Sequence, residues 1–160
     1  NFGTLELFPS ATEIPKLQVL GPEPLTEDFD TRYLYPRLKA SSKEIKPFLL
    51  DQRLVAGIGN IYASEILFAS GVLPRRSSHS LKKKEVQAIV ENTRRILLSA
   101  IEYNGTSVSD FRQVDEKTGE FQNFLQVYDK ESQPCPRCEV PLQRIVQQQR
   151  STFFCIGCQK

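Results

Sequence analysis

The stretch Leu49-Leu-Asp-Gln-Arg-Leu-Val-Ala-Gly-Ile-Gly-Asn60 decides how the middle of this chain folds. A helical apolar pattern leads into it, and a second one follows it. Gly57 and Gly59 allow tight turns between the two helices. Asn60 is of a residue type that is preferred as an N-cap, so it is predicted to cap the second helix. We therefore predict a helix, a double turn and a helix.

This double turn is compatible with two interpretations. The Asn60 amide and the backbone N–H groups at the positive end of the second helix favour an anion such as phosphate. The pattern Gly-Ile-Gly-Asn is equally typical of a plain connection between two packed helices. The stretch alone does not decide between these interpretations.

Helical periodicity extends on both sides of the turn. The predicted helices run from Ser41 or Ser42 as N-cap to about Asp51, over residues 60–70 with a stop at Gly71, and from Ser80 as N-cap to Asn104-Gly105. The second helix has almost no polar face, so it is predicted to be buried centrally.

The remaining segments are predicted to be irregular or extended. Residues 2–8 have the composition of a strand, and a short strand is possible over residues 124–128. Residues 21–35 contain prolines and scattered acids, which predicts a connecting segment and a domain boundary. We expect three parts, at residues 1–24, 25–125 and 126–160.

Cys135-Pro-Arg-Cys138 and Cys155-Ile-Gly-Cys158 form two Cys-x2-Cys knuckles separated by 16 residues. This spacing suits one tetrahedral Zn²⁺ with four thiolate ligands and no open position, which indicates a structural metal. Two disulfides or free thiols are the alternative. Strands at residues 142–146 and 151–155 are predicted to form a hairpin with residues 147–150 at its tip.

A hairpin held by zinc and tipped by Arg150 is suited to DNA phosphates, because the metal supplies rigidity that so small a core lacks. Zinc ribbons also bind proteins. The spacing of the cysteines leaves both uses open.

The composition bounds these hypotheses only loosely. Apolar residues make up 39% and charged residues 25%, as in globular proteins, and the net charge of +2 does not identify a nucleic-acid binder. Neither a membrane span nor a signal peptide is visible, so we expect an intracellular protein, in a bacterium or in a eukaryotic nucleus or organelle. Asn1 and the absence of methionine lead us to expect a fragment.

Residues 49–63, which end in Asn-Ile-Tyr-Ala, resemble the helix-two-turn-helix of formamidopyrimidine-DNA glycosylases and their endonuclease VIII relatives. Further matching segments follow in the family order at residues 105–111, 119–122, 126–128 and 150–155, together with the four cysteines. Residues 2–3 and 20–25 also match, so the resemblance covers nearly the whole chain. It implies a mainly α fold, a helix-two-turn-helix bundle followed by a zinc-finger β-hairpin.

The resemblance also implies roles for individual residues. Asn60 and Arg150 would bind phosphates beside the flipped nucleotide, and Phe2 would be the wedge that enters the base stack. A loop over an everted 8-oxoguanine would comprise Lys117, Thr118, Gly119, Glu120 and Phe121. This loop and Gly-x-Phe-Gln favour the formamidopyrimidine branch over endonuclease VIII. Extrusion is needed because a base inside the stack cannot be attacked.

The activity implied is excision of oxidised purines followed by cleavage of the abasic site. The family's nucleophile is an amino-terminal proline, whereas this chain begins with Asn1, so we expect the fragment to bind damaged DNA without cutting it. The implied partner is damaged double-stranded DNA, bound by a monomer with no small-molecule cofactor. The alternatives are a non-catalytic zinc-ribbon module that binds nucleic acid and an endonuclease VIII-type fragment.

Overall fold

The computed structural model describes residues 6–106 and 119–160. Within these residues, five α-helices precede an antiparallel hairpin. Their bounds are α1 Pro15–Gln18, α2 Thr31–Lys39, α3 Ile45–Leu49, α4 Asn60–Ala69, α5 Lys83–Glu102, β1 Gln143–Gln147 and β2 Arg150–Phe154. Short 3-10 turns lie at Ala11–Glu13, Ser78–Ser80 and Phe121–Phe124. The predicted mainly α fold that ends in a small hairpin is confirmed. None of the described helices is long and apolar enough to cross a membrane.

Helix α4 lies at the centre of the molecule, as its sequence predicted. Residues 63–68 are all buried, and the helix packs against α3, α5 and β2. Gly71 follows it with φ +68°, a conformation that favours glycine and ends the helix. Most of α4 joins the main core, whereas Phe68 packs with Leu142 and Phe153 under the hairpin. Helix α4 therefore connects the helical bundle to the zinc ribbon.

Helix α5 presents a buried face to α2 and α4 through residues such as Val86, Ile89 and Ile96. The predicted cap at Ser80 is wrong, because Ser80 ends a 3-10 turn and Leu81 is fully buried in an extended conformation. The helix begins at Lys83 instead. Its predicted stop is close to correct, since the Gly105 N–H donates to the Ala100 carbonyl at 2.7 Å with φ +81°.

Helix α2 was not predicted, because residues 21–35 were interpreted as a connecting segment. The Asp30 carboxylate accepts a 2.7 Å hydrogen bond from the Tyr33 N–H and caps the helix. Leu34 and Leu38, one turn apart, are buried in the main core. An acidic cap followed by this i, i+4 pair was the available signal. Prolines and acids around the segment obscured it.

Helix α3 is shorter than predicted, and neither Ser41 nor Ser42 caps it. Glu44 is extended and pairs with Ser77 in an isolated bridge, which delays the helix until Ile45. Pro47 lies in the first turn, where a backbone N–H would have no acceptor within the helix.

Two predicted strands are not observed in the described residues. Residues 2–5 of the first lie outside the described part, and residues 6–8 are not in a strand. The segment at 124–128 is also not a strand. The N–H groups of residues 126–128 donate to the Glu65 carboxylate, so they are not available for a β-ladder.

The hairpin is confirmed, with its strands shifted by one residue. Gln147 pairs with Arg150, and the connecting Gln148 and Gln149 have φ of +46° and +61°. Two residues of positive φ form the type I′ turn that matches the twist of paired strands. Arg150 is consequently the first residue of β2 and not a residue of the turn.

Candidate metal centre and nucleic-acid interface

The four cysteines converge although they come from two distant knuckles. The Sγ atoms of Cys135, Cys138, Cys155 and Cys158 all lie within 4.8 Å of one another. The Sγ atoms of Cys135 and Cys158 are 3.8 Å apart, and those of Cys138 and Cys155 are 3.4 Å apart. Tetrahedral Zn–S bonds of about 2.3 Å require sulfur atoms about 3.8 Å apart. The geometry therefore fits one zinc ion.

Each knuckle is closed by a backbone hydrogen bond that turns the chain around the sulfurs. The Glu139 N–H donates to the Cys135 carbonyl, and the Gln159 N–H donates to the Cys155 carbonyl. A Cβ atom at Gly157 would lie 2.9 Å from Cys138 Sγ. Glycine is thus required at this position, because a side chain would displace a metal ligand.

The second knuckle is anchored to the helical bundle by Gln159. This side chain is almost fully buried, accepts from the Cys155 N–H at 2.8 Å and donates to the Val72 carbonyl at 2.8 Å. The metal centre therefore has a fixed position relative to the end of α4. Sequence reasoning missed Gln159, and its place in a basic tail gave no sign of burial.

The predicted phosphate residues Asn60 and Arg150 are brought together by the carbonyl group of Ser151. Asn60 Nδ2 donates to this oxygen at 3.0 Å and to the Tyr128 hydroxyl at 3.3 Å. Asn60 is not a cap: Gly59 is the N-cap of α4, and Asn60 is its first residue. The prediction that it caps the helix is wrong, and its amide links the helix to the hairpin.

Lys46 is the second donor to the same carbonyl group. Its side chain is fully buried, and its Nζ donates to Ser151 O at 2.9 Å and to Thr152 Oγ1 at 2.8 Å. Asn60 and Lys46 together fix the start of β2 against α3 and α4. Sequence reasoning missed Lys46, since a lysine in a short helix is normally exposed.

The surface around these residues has the features of an anion site. The first backbone bond within α4 is donated by the Ala63 N–H to the Gly59 carbonyl, so the preceding N–H groups have no partner within the helix. A Cβ atom at Gly57 or Gly59 would meet nothing within 4 Å, which shows that the turn is open. Asn60 Oδ1 is buried without a hydrogen-bond partner in the described part of the chain. Arg150 is exposed and directly precedes Ser151, whose carbonyl accepts from Asn60.

Burial, followed by the positive charge of Arg150, lowers the pKa of Lys46 from 10.5 to about 7. The neutral amine is therefore favoured in the folded chain above about pH 7. An unfolded chain binds this proton up to about pH 10.5, so between about pH 7 and 10.5 the unfolded state holds more protons. The contribution of Lys46 to the free energy of unfolding consequently rises with pH in this window.

We expect Lys46→Met to remove this pH dependence. The difference in free energy of unfolding between the parent chain and Lys46→Met should grow from pH 7 to pH 9, as measured by urea titration at each pH. Lys84→Met, on the exposed face of α5, is the matched control and should show no such trend. A constant difference across this range would contradict the shifted pKa.

Glu65 is the one acidic side chain buried among the described residues. Its Oε2 accepts from the Gln126 N–H, and its Oε1 accepts from the N–H groups of Val127 and Tyr128, each at 2.9 Å. This carboxylate holds the segment that leads into the zinc ribbon. A lone acid inside the apolar α4 pattern was the signal that could have revealed it.

The predicted loop over the lesion is only partly described. Lys117 and Thr118, like Phe2, lie outside the described residues. The N–H groups of Glu120 and Phe121 donate to the carbonyls of Tyr103 and Gly105, and a Cβ at Gly119 would lie 2.3 Å from Gly105 O. Phe121 is buried, with its ring 5.9 Å from that of Tyr62. The described part of the predicted loop, residues 119–121, is thus anchored to the segment that ends α5.

Two family profiles match the chain, one before and one after residues 119–121. The Formamidopyrimidine-DNA glycosylase H2TH domain matches residues 20–112, and the zinc finger found in FPG and IleRS matches residues 132–160. The chain belongs to the formamidopyrimidine-DNA glycosylase family. Its DNA-binding module is therefore a helix-two-turn-helix, and its four cysteines form a structural zinc site.

Individual relatives agree with this assignment. The formamidopyrimidine-DNA glycosylase of Ruegeria pomeroyi is 46% identical, over 100% of this chain and 58% of the relative. The crystal structure of the MutM (Fpg) protein of Thermus thermophilus superposes with a TM-score of 0.87 at 44% identity, over 92% of this chain and 56% of the other. The chain thus spans little more than half the length of these glycosylases.

The structure of a third relative is a complex with DNA. Lactococcus lactis Fpg, in a complex with DNA that contains an abasic site, matches with a TM-score of 0.83 at 38% identity. The match covers 89% of this chain and 52% of that glycosylase. The resemblance to the formamidopyrimidine branch is thereby confirmed at the level of the family.

Proposed function

We propose that this chain is the DNA-binding portion of a bifunctional glycosylase and abasic-site lyase that excises oxidised purines, namely 8-oxoguanine and formamidopyrimidines, in base excision repair. The observation that supports the proposal is the Ser151 carbonyl, which accepts from Asn60 at the start of α4 and directly follows Arg150 in the chain. A guanidinium and free helical N–H groups on one surface suit a phosphate group.

Complexes of related glycosylases with damaged DNA support this choice of substrate. One Lactococcus lactis Fpg structure holds DNA with an abasic site, and another, of the mutant G226P, holds DNA with Fapy-dG. The proposal further includes a monomer, an intracellular location and the three-part division at residues 1–24, 25–125 and 126–160. We further propose that the 160-residue chain alone binds damaged DNA without cutting it.

The first test is binding of the zinc-loaded chain to duplex DNA with an abasic-site analogue and to undamaged duplex, over a salt series. We expect binding that weakens steeply with salt, because phosphate contacts release counterions, and tighter binding to the abasic duplex. Equal binding to both duplexes would favour the alternative, a zinc-ribbon module without lesion recognition. No binding by a chain that holds one zinc would contradict the proposal.

The second test replaces the proposed phosphate ligand. Arg150→Ala should weaken binding to both duplexes about tenfold and reduce the salt slope by about 1. Arg144→Ala is the matched control, since it removes the same charge from the neighbouring strand but its guanidinium already donates to Ser151 Oγ at 3.0 Å. Equal losses in both variants would mean that charge alone, and not this site, carries the affinity.

Asn60→Ala tests the other side of the site. We expect it to weaken binding as well, through loss of the link to Ser151 and of the amide itself. Proton NMR of the hairpin separates these two effects. If the hairpin's chemical shifts are unchanged while DNA binding is weaker, the loss of affinity is due to the lost phosphate contact. Unchanged affinity in both Asn60→Ala and Arg150→Ala would remove the proposed site.

A further inference from the structure

A second concave site lies at the opposite end of α4 from Asn60. It is a pocket of about 310 Å³ between the end of α4, α5, the 3-10 turn at Phe121–Phe124 and the first cysteine knuckle. A helix of ten residues is about 15 Å long, so this pocket is separate from the surface around Ser151. Its volume is at the lower end of the range for ligand pockets, about 300–1,000 Å³.

The lining combines an aromatic floor with two cations. Phe124 provides the exposed apolar surface, with 43% of the residue exposed, and Phe68 and Phe121 are buried beneath it. Arg95 and Arg137 are the two cationic residues that line the pocket, and both are exposed. An apolar group could enter the pocket while an anion contacts its border.

Both arginines are held in place by the fold. The Arg137 guanidinium lies 4.3 Å from the centre of the Phe68 ring, and its NH1 donates to the Phe68 carbonyl at 3.1 Å. The Arg95 guanidinium donates twice to Asn92 Oδ1. Pre-organised guanidinium groups lose less entropy when they bind a carboxylate.

The pocket also contains Glu65, whose charge does not oppose an anion as strongly as an unpaired acid would. Its two oxygens accept three backbone N–H groups, which compensate the negative charge. The positive charge at the border is therefore available to a ligand.

We propose that this pocket binds the carboxyl-terminal end of an acidic peptide, with an apolar last side chain on the exposed ring of Phe124 and the terminal carboxylate on Arg95 and Arg137. A protein partner with such an end fits better than duplex DNA. A duplex backbone presents phosphates along a convex surface, whereas this site is a small pocket with a floor for one side chain. The proposal does not depend on the proposed glycosylase function.

The test is fluorescence anisotropy of the zinc-loaded 160-residue chain with the labelled peptide Asp-Asp-Asp-Asp-Leu-Phe, with a free or an amidated carboxyl end. We expect saturable binding of the free acid and at least tenfold weaker binding of the amide. Arg95→Glu should weaken the free acid at least tenfold, whereas Lys84→Glu, an equal charge change elsewhere on α5, should have a much smaller effect. Arg95→Lys should restore part of the affinity.

Several outcomes would overturn the proposal. These are the absence of binding by either peptide, equal affinity for acid and amide, and equal losses in Arg95→Glu and Lys84→Glu. Displacement of the peptide by duplex DNA would instead assign the pocket to the nucleic-acid surface. Because Arg95 is exposed on α5, its variants should unfold at the parent's urea midpoint, which separates loss of binding from loss of fold.

Discussion

Cys155→Ser is expected to abolish stoichiometric zinc binding, to release β1 and β2 from their paired conformation and to remove DNA affinity. An isolated two-stranded hairpin is at best marginally stable in water, whereas a structural zinc contributes about 10–16 kcal/mol of binding free energy. Cys155 is fully buried, and its N–H also bonds to Gln159. Loss of this ligand therefore removes the metal and loosens the anchor to Val72.

The helical bundle should survive this change. Its core, which includes Leu34, Ile66 and Ile89, is distinct from the cluster beneath the hairpin. The measurements are zinc content by atomic absorption, amide NMR signals of residues 143–154 and far-UV circular dichroism. Ile156→Ser, at an exposed position of the same knuckle, is the control and should retain zinc. A Cys155→Ser chain with one zinc and an intact hairpin would contradict the four-cysteine site.

Glu65→Ala is expected to lower the free energy of unfolding by about 3 kcal/mol or more. The change leaves the buried N–H group of Val127 and the partly buried N–H groups of Gln126 and Tyr128 without their acceptor, and an unsatisfied buried donor costs about 1–3 kcal/mol. Glu65→Gln should be milder, because its remaining carbonyl oxygen can still accept. Urea unfolding measures the size of each effect.

Hydrogen exchange gives a second readout of the Glu65 contacts. The amides of residues 126–128 should exchange faster in Glu65→Ala, while those in the middle of α5 should change no more than global stability requires. Glu91→Ala, an exposed acid on α5, should stay within about 0.5 kcal/mol of the parent. If the free energy of unfolding of Glu65→Ala lies within about 1 kcal/mol of the parent's, water satisfies these donors. That result would contradict the proposed role of Glu65.

The sequence by itself determined the features that depend on residues close together in the chain. The knuckle spacing predicted the metal site and the hairpin between the knuckles. Four thiolate ligands at this spacing suit one tetrahedral ion, which brings the two knuckles together. The continuous apolar pattern of α4 predicted its burial, and Gly71 and Gly105 predicted helix ends through their positive φ. Helix starts were predicted less well: the caps proposed at Ser41, Ser42, Ser80 and Asn60 are all wrong, since pairing and packing with distant residues decided where each helix begins.

Tertiary structure alone decided how the proposed DNA surface is assembled. Asn60 and Ser151 are 91 positions apart, and Lys46 reaches the same carbonyl from a third element. No local pattern specifies such a contact, because burial of a lysine or a glutamate is stable only when distant donors or acceptors satisfy it. The sequence thus determined which residues could bind metal and phosphate, and the packing of α3, α4 and β2 decided which of them meet.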